Sequence, residues 1–157
     1  VVNIAAALGA FLFGYLEDRI GHRRALGLTL VGWIVVVALA VMADGDTVFW
    51  AAAMLAGLCT GSSQSAGRAL AGALAPSHRL GEFYGLWAFA TRSAAIVGPL
   101  TYGIISWATE GNHRGALLFT GCFFVAALAL LAYVDIARGV CRARADDASA
   151  IHAEASS

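Results

Sequence analysis

Long apolar runs alternate with short polar segments along the whole chain. The runs cover about residues 1–16, 25–43, 48–75, 82–108 and 115–136. Crossing an apolar layer takes about 20 residues as a helix, whereas a barrel strand needs about ten with strict alternation. Every run is too long and too uniformly apolar for a strand. The pattern therefore predicts an all-α fold, a polytopic membrane helix bundle of about five transmembrane helices over residues 1–138. The breaks carry turn chemistry: Asp44-Gly45-Asp46, then Pro76 with Ser77-His78-Arg79, then Thr109-Glu110-Gly111-Asn112-His113-Arg114. Beyond the last run the chain becomes small and polar, which predicts a disordered tail over 139–157.

The first break differs from the others. Gly14-Tyr15-Leu16-Glu17-Asp18-Arg19-Ile20-Gly21-His22-Arg23-Arg24 gathers most of its charge within eight residues, in a chain that is only 13% charged. Hydrocarbon does not accept that density, so the stretch is expected as a loop at a membrane surface. The run before it begins at Val1, lacks a basic leader and is short for a full span. That predicts a truncated first helix rather than a signal peptide.

Composition agrees with a membrane chain: 60% of residues are hydrophobic and 18 are Gly. The formal net charge is zero, and all ten basic residues are Arg. Their placement is the informative quantity. Arg19, Arg23, Arg24, Arg79, Arg138, Arg142 and Arg144 fall on one side of a five-span bundle, against Arg114 alone on the other. By the positive-inside rule the stretch 17–24 and the C-terminus are expected in the cytoplasm, with the protein multi-pass in the cell membrane.

Arg68 and Arg92 break the pattern by lying inside apolar runs, ~12 and ~14 Å from the nearest ends at the helical rise. An Arg near the midplane costs roughly 2.5–3.5 kcal/mol on insertion scales, so it faces a cavity or a partner. Helical spacing gives each run one small and polar stripe: Gly57, Gly61, Gln64, Ser65, Arg68 and Gly72 in the third, and Gly85, Ala88, Arg92, Ala95, Pro99, Tyr102 and Ser106 in the fourth. Two readings are open. The stripes serve helix packing, as Gly57-x-x-x-Gly61 suggests, or they line a solute pathway in which two cations without a carboxylate await an anion. Gly98-Pro99 would free a backbone carbonyl and permit a hinge.

Catalytic signatures are missing from the sequence. No H-E-x-x-H, P-loop or G-x-G-x-x-G is present, and Gly61-Ser62-Ser63-Gln64-Ser65 departs from the nucleophile-elbow pattern. Cys59, Cys122 and Cys141 have neither metal-ligand spacing nor an even count, and the four His residues lie in breaks or the tail. The chain is expected to be no enzyme, with no cofactor, no metal and no nucleic-acid partner, since no basic face is interleaved with aromatics.

With Gly14, Asp18, Arg19, Gly21, Arg23 and Arg24 in this spacing between two membrane helices, the opening stretch resembles the cytoplasmic signature loop of the major facilitator superfamily. A narrower resemblance covers about residues 9–125. Gly61-Ser62-Ser63-Gln64 with Arg68, Pro76, Glu82-Phe83-Tyr84-Gly85 and Gly98-Pro99-Leu100 are similar to the C-terminal region of the vacuole-effluxer-like branch. The chain departs from that branch at Gly67, usually Ser, and at Arg92, usually Lys.

The resemblance implies a secondary transporter that alternates access by rocking two six-helix halves. This chain would supply the last five of twelve spans, with its N-terminal half missing. Asp18 would latch onto a helix of that other half, with Gly14 allowing its approach and the arginines making salt links and lipid contacts. Gln64, Arg68, Arg92, Gly98 and Pro99 are the candidate substrate pathway or gate. The expected partners are a small organic solute, anionic or an amino acid, and membrane lipid. The runner-up is a non-transporting membrane scaffold in which the Gly and Arg stripes serve packing.

Overall fold

The computed structural model describes residues 2–43 and 45–155, with side chains to residue 150. Six α-helices follow in order: α1 Val2–Ile20, α2 His22–Val41, α3 Asp46–Leu74, α4 Leu80–Ala108, α5 His113–Tyr133 and α6 Ile136–Ala155. One 3-10 turn, Ser77–Arg79, joins α3 to α4, and no strand occurs among the described residues. Of the acidic turn before α3, Asp44 lies outside the described residues, as do Val1 and the final two serines.

The charged stretch expected as a loop is helical on both sides of a single residue. α1 continues through Glu17, Asp18 and Arg19, and α2 starts at His22. Gly21 alone makes the turn, at φ 84°, a backbone region that L side chains disfavour. Its N–H donates to the Glu17 carbonyl at 2.8 Å, and its own carbonyl accepts from Ala25 at 3.1 Å. Charge density suggested a loop, but nothing in residues 14–20 breaks a helix.

α3 is the central element, and α1, α2, α4 and α6 all pack on it. Its closest neighbour is α1, where backbones touch. A Cβ on Gly61 would fall inside the Ala6 carbonyl, so only glycine fits at this crossing. The core is correspondingly small-grained, with Ala5, Ala52, Cys59, Ser62 and Ala66 buried. Such close approach is how helices associate where lipid removes the hydrophobic drive between them. α2 is held by Trp33, which donates from Nε1 to Ser63 Oγ at 3.0 Å and stacks on Phe124 of α5 with ring centroids 5.1 Å apart. α5 is capped by Asn112, whose side chain accepts from the Gly115 N–H.

The tail expected as disordered from 139 forms α6. Asp135 caps it by accepting from the Arg138 N–H at 3.2 Å and pairing with Arg138 Nε at 2.8 Å. Ala and Arg dominate the body of this helix, and both are strong helix formers. Ile136 and Ala143 are buried. Asp147 fixes the far part by accepting from Ser77 N–H and Oγ–H at 2.7 and 2.8 Å. These bonds, with the His78 ring 3.9 Å away, hold its carboxyl below the ordinary carboxylate range. A low-complexity polar composition suggested disorder, but helix propensity, a cap and a docking bond together outweigh it.

Candidate functional site

Two helices, α2 and α5, are long and apolar enough to cross a membrane on length and composition alone. α1, α3 and α4 carry more polar residues, and the candidate site residues among them fall in two places.

The first is the turn between α1 and α2. Asp18 is exposed and makes no hydrogen bond or ion pair among the described residues. Gly14 is half-buried, and a Cβ there would stand 3.9 Å from Ser65 Oγ, so contact with α3 does not require a glycine. Arg19 reaches back along α1 to donate to the Tyr15 hydroxyl and lies over that ring, 4.7 Å from its centroid. Arg23 crosses to α5 and donates to the Ala132 carbonyl at 2.8 Å. Arg24 is exposed. The six signature residues thus share one end of the bundle but point to different neighbours.

Sequence reasoning passed over Glu17. Its side chain is 3% exposed, and its Oε1 lies 2.6 Å from Nδ1 of His22, itself 36% exposed. An ionised carboxylate only accepts, so the imidazole Nδ1–H donates. The bond spans Gly21 and ties the end of α1 to the start of α2. Its signal was available: Glu17 follows Ala10 and Phe13 at helical spacing, on a face that a continuing α1 turns inward.

The second place is the groove between α3 and α4. Gln64, Arg68, Trp87, Ala88, Thr91, Arg92 and Ala95 line a cavity of about 330 Å3. Gln64 and Arg68, one helical turn apart, come from α3, and the other five come from α4. The guanidinium of Arg68 lies over the Trp87 ring, 5.3 Å from its centroid. Trp87 reaches that position because residue 67 is glycine: a Cβ there would stand 3.0 Å from Trp87 Nε1. No carboxylate lines the cavity, and neither Arg68 nor Arg92 makes an ion pair among the described residues. A neighbouring cavity of about 440 Å3 extends the same groove to α1, adding Ala10, Gly61, Ser65, Ala69 and Tyr84 around Gln64 and Arg68.

Gly98 and Pro99 lie one turn beyond this cavity, inside an α4 that runs unbroken from Leu80 to Ala108. Proline has no N–H, so the carbonyl of Ala95, four residues earlier, loses its helical donor. Ala95 itself lines the cavity. Trp87 and Thr91 were absent from the stripe read from sequence, although Trp87-Thr91-Ala95 repeats every four residues on one face.

Comparison with known proteins adds a family context. The family model described as Major Facilitator Superfamily matches residues 1–149. The chain is 27% identical over 134 residues to the uncharacterized MFS-type transporter YxiO of Bacillus subtilis (strain 168), covering 85% of this chain and 31% of that protein. It is 26% identical over 145 residues to the riboflavin transporter MCH5 of Saccharomyces cerevisiae, covering 90% of this chain and 27% of that one. The chain spans under a third of the length of these curated relatives. No solved structure gives a significant match.

Proposed function

Because the chain belongs to the major facilitator superfamily, a family whose two matched relatives are named as transporters, we propose that it forms part of a secondary transporter. Its cargo is a small organic solute bearing an anionic group, with the carboxylate of an amino acid as one such group. Movement is by alternating access between this set of helices and a second half supplied outside this chain.

The observation that carries the reading is the pair of guanidinium groups in one cavity with no carboxylate among its lining residues. In the membrane interior an Arg costs roughly 2.5–3.5 kcal/mol. A cation–π contact such as Arg68 on Trp87 offsets about 0.5–2 kcal/mol, and Arg92 has no such contact among the described residues. Water and an anionic ligand supply the remainder at a solute pathway. A scaffold would instead pair each cation internally. Gln64 and Thr91 add polar groups that would orient the cargo.

At the other site, Asp18 serves as a cytoplasmic latch for the second half. It is exposed and unpaired here, whereas its neighbour Glu17 is used inside the bundle. Gly14 leaves room for an approaching helix. Arg19, Arg23 and Arg24 hold the same face of the membrane, with the C-terminus on that side.

Uptake by the full-length protein tests the cargo site. Arg92→Lys keeps the charge but loses the planar fork. An apparent KM raised about tenfold, equivalent to about 1.4 kcal/mol, with little change in expression, fits a contact to the cargo. Normal KM with collapsed expression would mark Arg92 as structural and count against the reading.

A further inference from the structure

Arg68 and Arg92 enter the groove between α3 and α4 with their hydrogen-bonding capacity unspent. Among the described residues neither guanidinium donates to a protein acceptor, and the Trp87 ring covers one face of Arg68 alone. The Thr91 hydroxyl sends its proton to the Trp87 carbonyl and offers none to the cavity. Two full charges, each with a planar set of donors, therefore face a space of about 330 Å3.

No acid of α3 or α4 lies within reach of these charges. The acid of α3 is Asp46, its first residue, 22 residues or ~33 Å from Arg68 at the helical rise. The acid of α4 is Glu82, ten residues or ~15 Å before Arg92, and Arg79 holds it at 2.6 Å. Of the two acids on α1, Glu17 is engaged by His22, and Asp18 pairs with no cation among the described residues. Neither lines this cavity or the adjoining one around Arg68. A cargo with one negative charge would leave one guanidinium uncompensated where water is scarce. A zwitterion would also bring an ammonium that meets two cations and no carboxylate.

We propose, resting on the reading of this groove as an anionic-cargo site, that the cargo is a compact dianion without a cation: a short dicarboxylate or a phosphate monoester. Its two charges neutralise both guanidinium groups, and carboxylate or phosphate oxygens accept from the forks in pairs. The volume lies at the lower end of the roughly 300–1,000 Å3 usual for small-molecule sites, which suits a solute of few carbons. Among the cargoes that reading admits, amino acids and monocarboxylates are then the weaker ones.

Calorimetric titration of the full-length protein in mild detergent compares matched pairs: malonate, succinate and glutarate against their half-amides, and methyl phosphate against dimethyl phosphate. The buffer is held at about pH 8, above the second phosphate pKa of about 6, so that methyl phosphate is a dianion. At least one dianion is expected to bind at least about thirtyfold more tightly than its singly charged partner, as the loss of one member of a desolvated charge pair implies. Arg92→Gln should bring that ratio toward one, whereas Arg92→Lys should keep most of it because the charge is kept. Ratios near one in every pair with the parent protein overturn the proposal, as does an unchanged ratio in both Arg68→Gln and Arg92→Gln. Parity within pairs, with binding abolished by Arg92→Gln, overturns the dianion and leaves an anionic cargo standing. Absence of binding by every anion to the parent protein removes both.

Discussion

The bond between Glu17 and His22 makes the strongest local prediction. Glu17 is buried to 3% exposure and its partner is 2.6 Å away across a one-residue turn. Truncation by His22→Ala leaves a buried carboxylate without its donor, which costs about 1–3 kcal/mol. The larger penalty of about 3–5 kcal/mol for breaking fully buried pairs does not apply, because His22 is 36% exposed and its removal admits water. For a chain of this size each kcal/mol moves Tm by roughly 2–4 °C, so a drop of several degrees is expected in detergent. Glu17→Gln keeps an acceptor and should cost less. In the Glu17→Ala background the His22 effect should nearly vanish, giving a coupling of about 0.5–3 kcal/mol in the double-mutant cycle. Additive Tm changes, or no change for His22→Ala alone, would refute the clasp.

Three further outcomes are expected from the same geometry. Asp18→Asn should impair transport by the full-length protein severalfold while membrane insertion stays normal; unchanged uptake kinetics would remove the latch role. Asp147→Ala should undock the far part of α6, read as faster tryptic cleavage at Arg138, Arg142 and Arg144. Because the folded-state carboxyl is held below its ordinary range, the docking contribution is complete above the normal carboxylate range and is lost as pH falls through the lowered value. Protection should therefore persist across the neutral range in which trypsin works, and protection lost near neutrality would contradict this. Gly61→Leu should cost at least about 1–3 kcal/mol by overpacking, seen as lowered Tm or expression, since the added atoms would meet the Ala6 backbone.

Apolar run length made the helices legible, because a run of that length has no alternative to a helix. Helical spacing also placed Gln64, Arg68 and Arg92 on faces that the structure brings to one cavity. Other features were hidden for identifiable reasons. Charge density in 14–24 was read as irregular backbone, yet charged residues extend a helix readily when no breaker intervenes. That reading concealed Glu17, whose role appears only when α1 continues to Ile20. The α6 region was obscured by its polar composition, because the bonds that dock it come from Ser77, 70 residues away. Trp87 was hidden for a similar reason, since its place over Arg68 depends on the open position at Gly67.

The central claim is that the groove between α3 and α4 faces an aqueous, positively charged pathway. Thiol accessibility at Thr91 tests it most directly, in a full-length protein whose Cys59, Cys122 and Cys141 are replaced by alanine. Thr91→Cys in intact membranes should react with an anionic methanethiosulfonate faster than with a cationic one, after correction for their rates with a free thiol. Arg68→Gln or Arg92→Gln should reduce that ratio. Leu130→Cys, on the outer surface of α5 at 66% exposure, should stay unlabelled by both reagents because lipid covers it. No labelling at Thr91→Cys, or faster reaction with the cation, would contradict a cationic solute pathway.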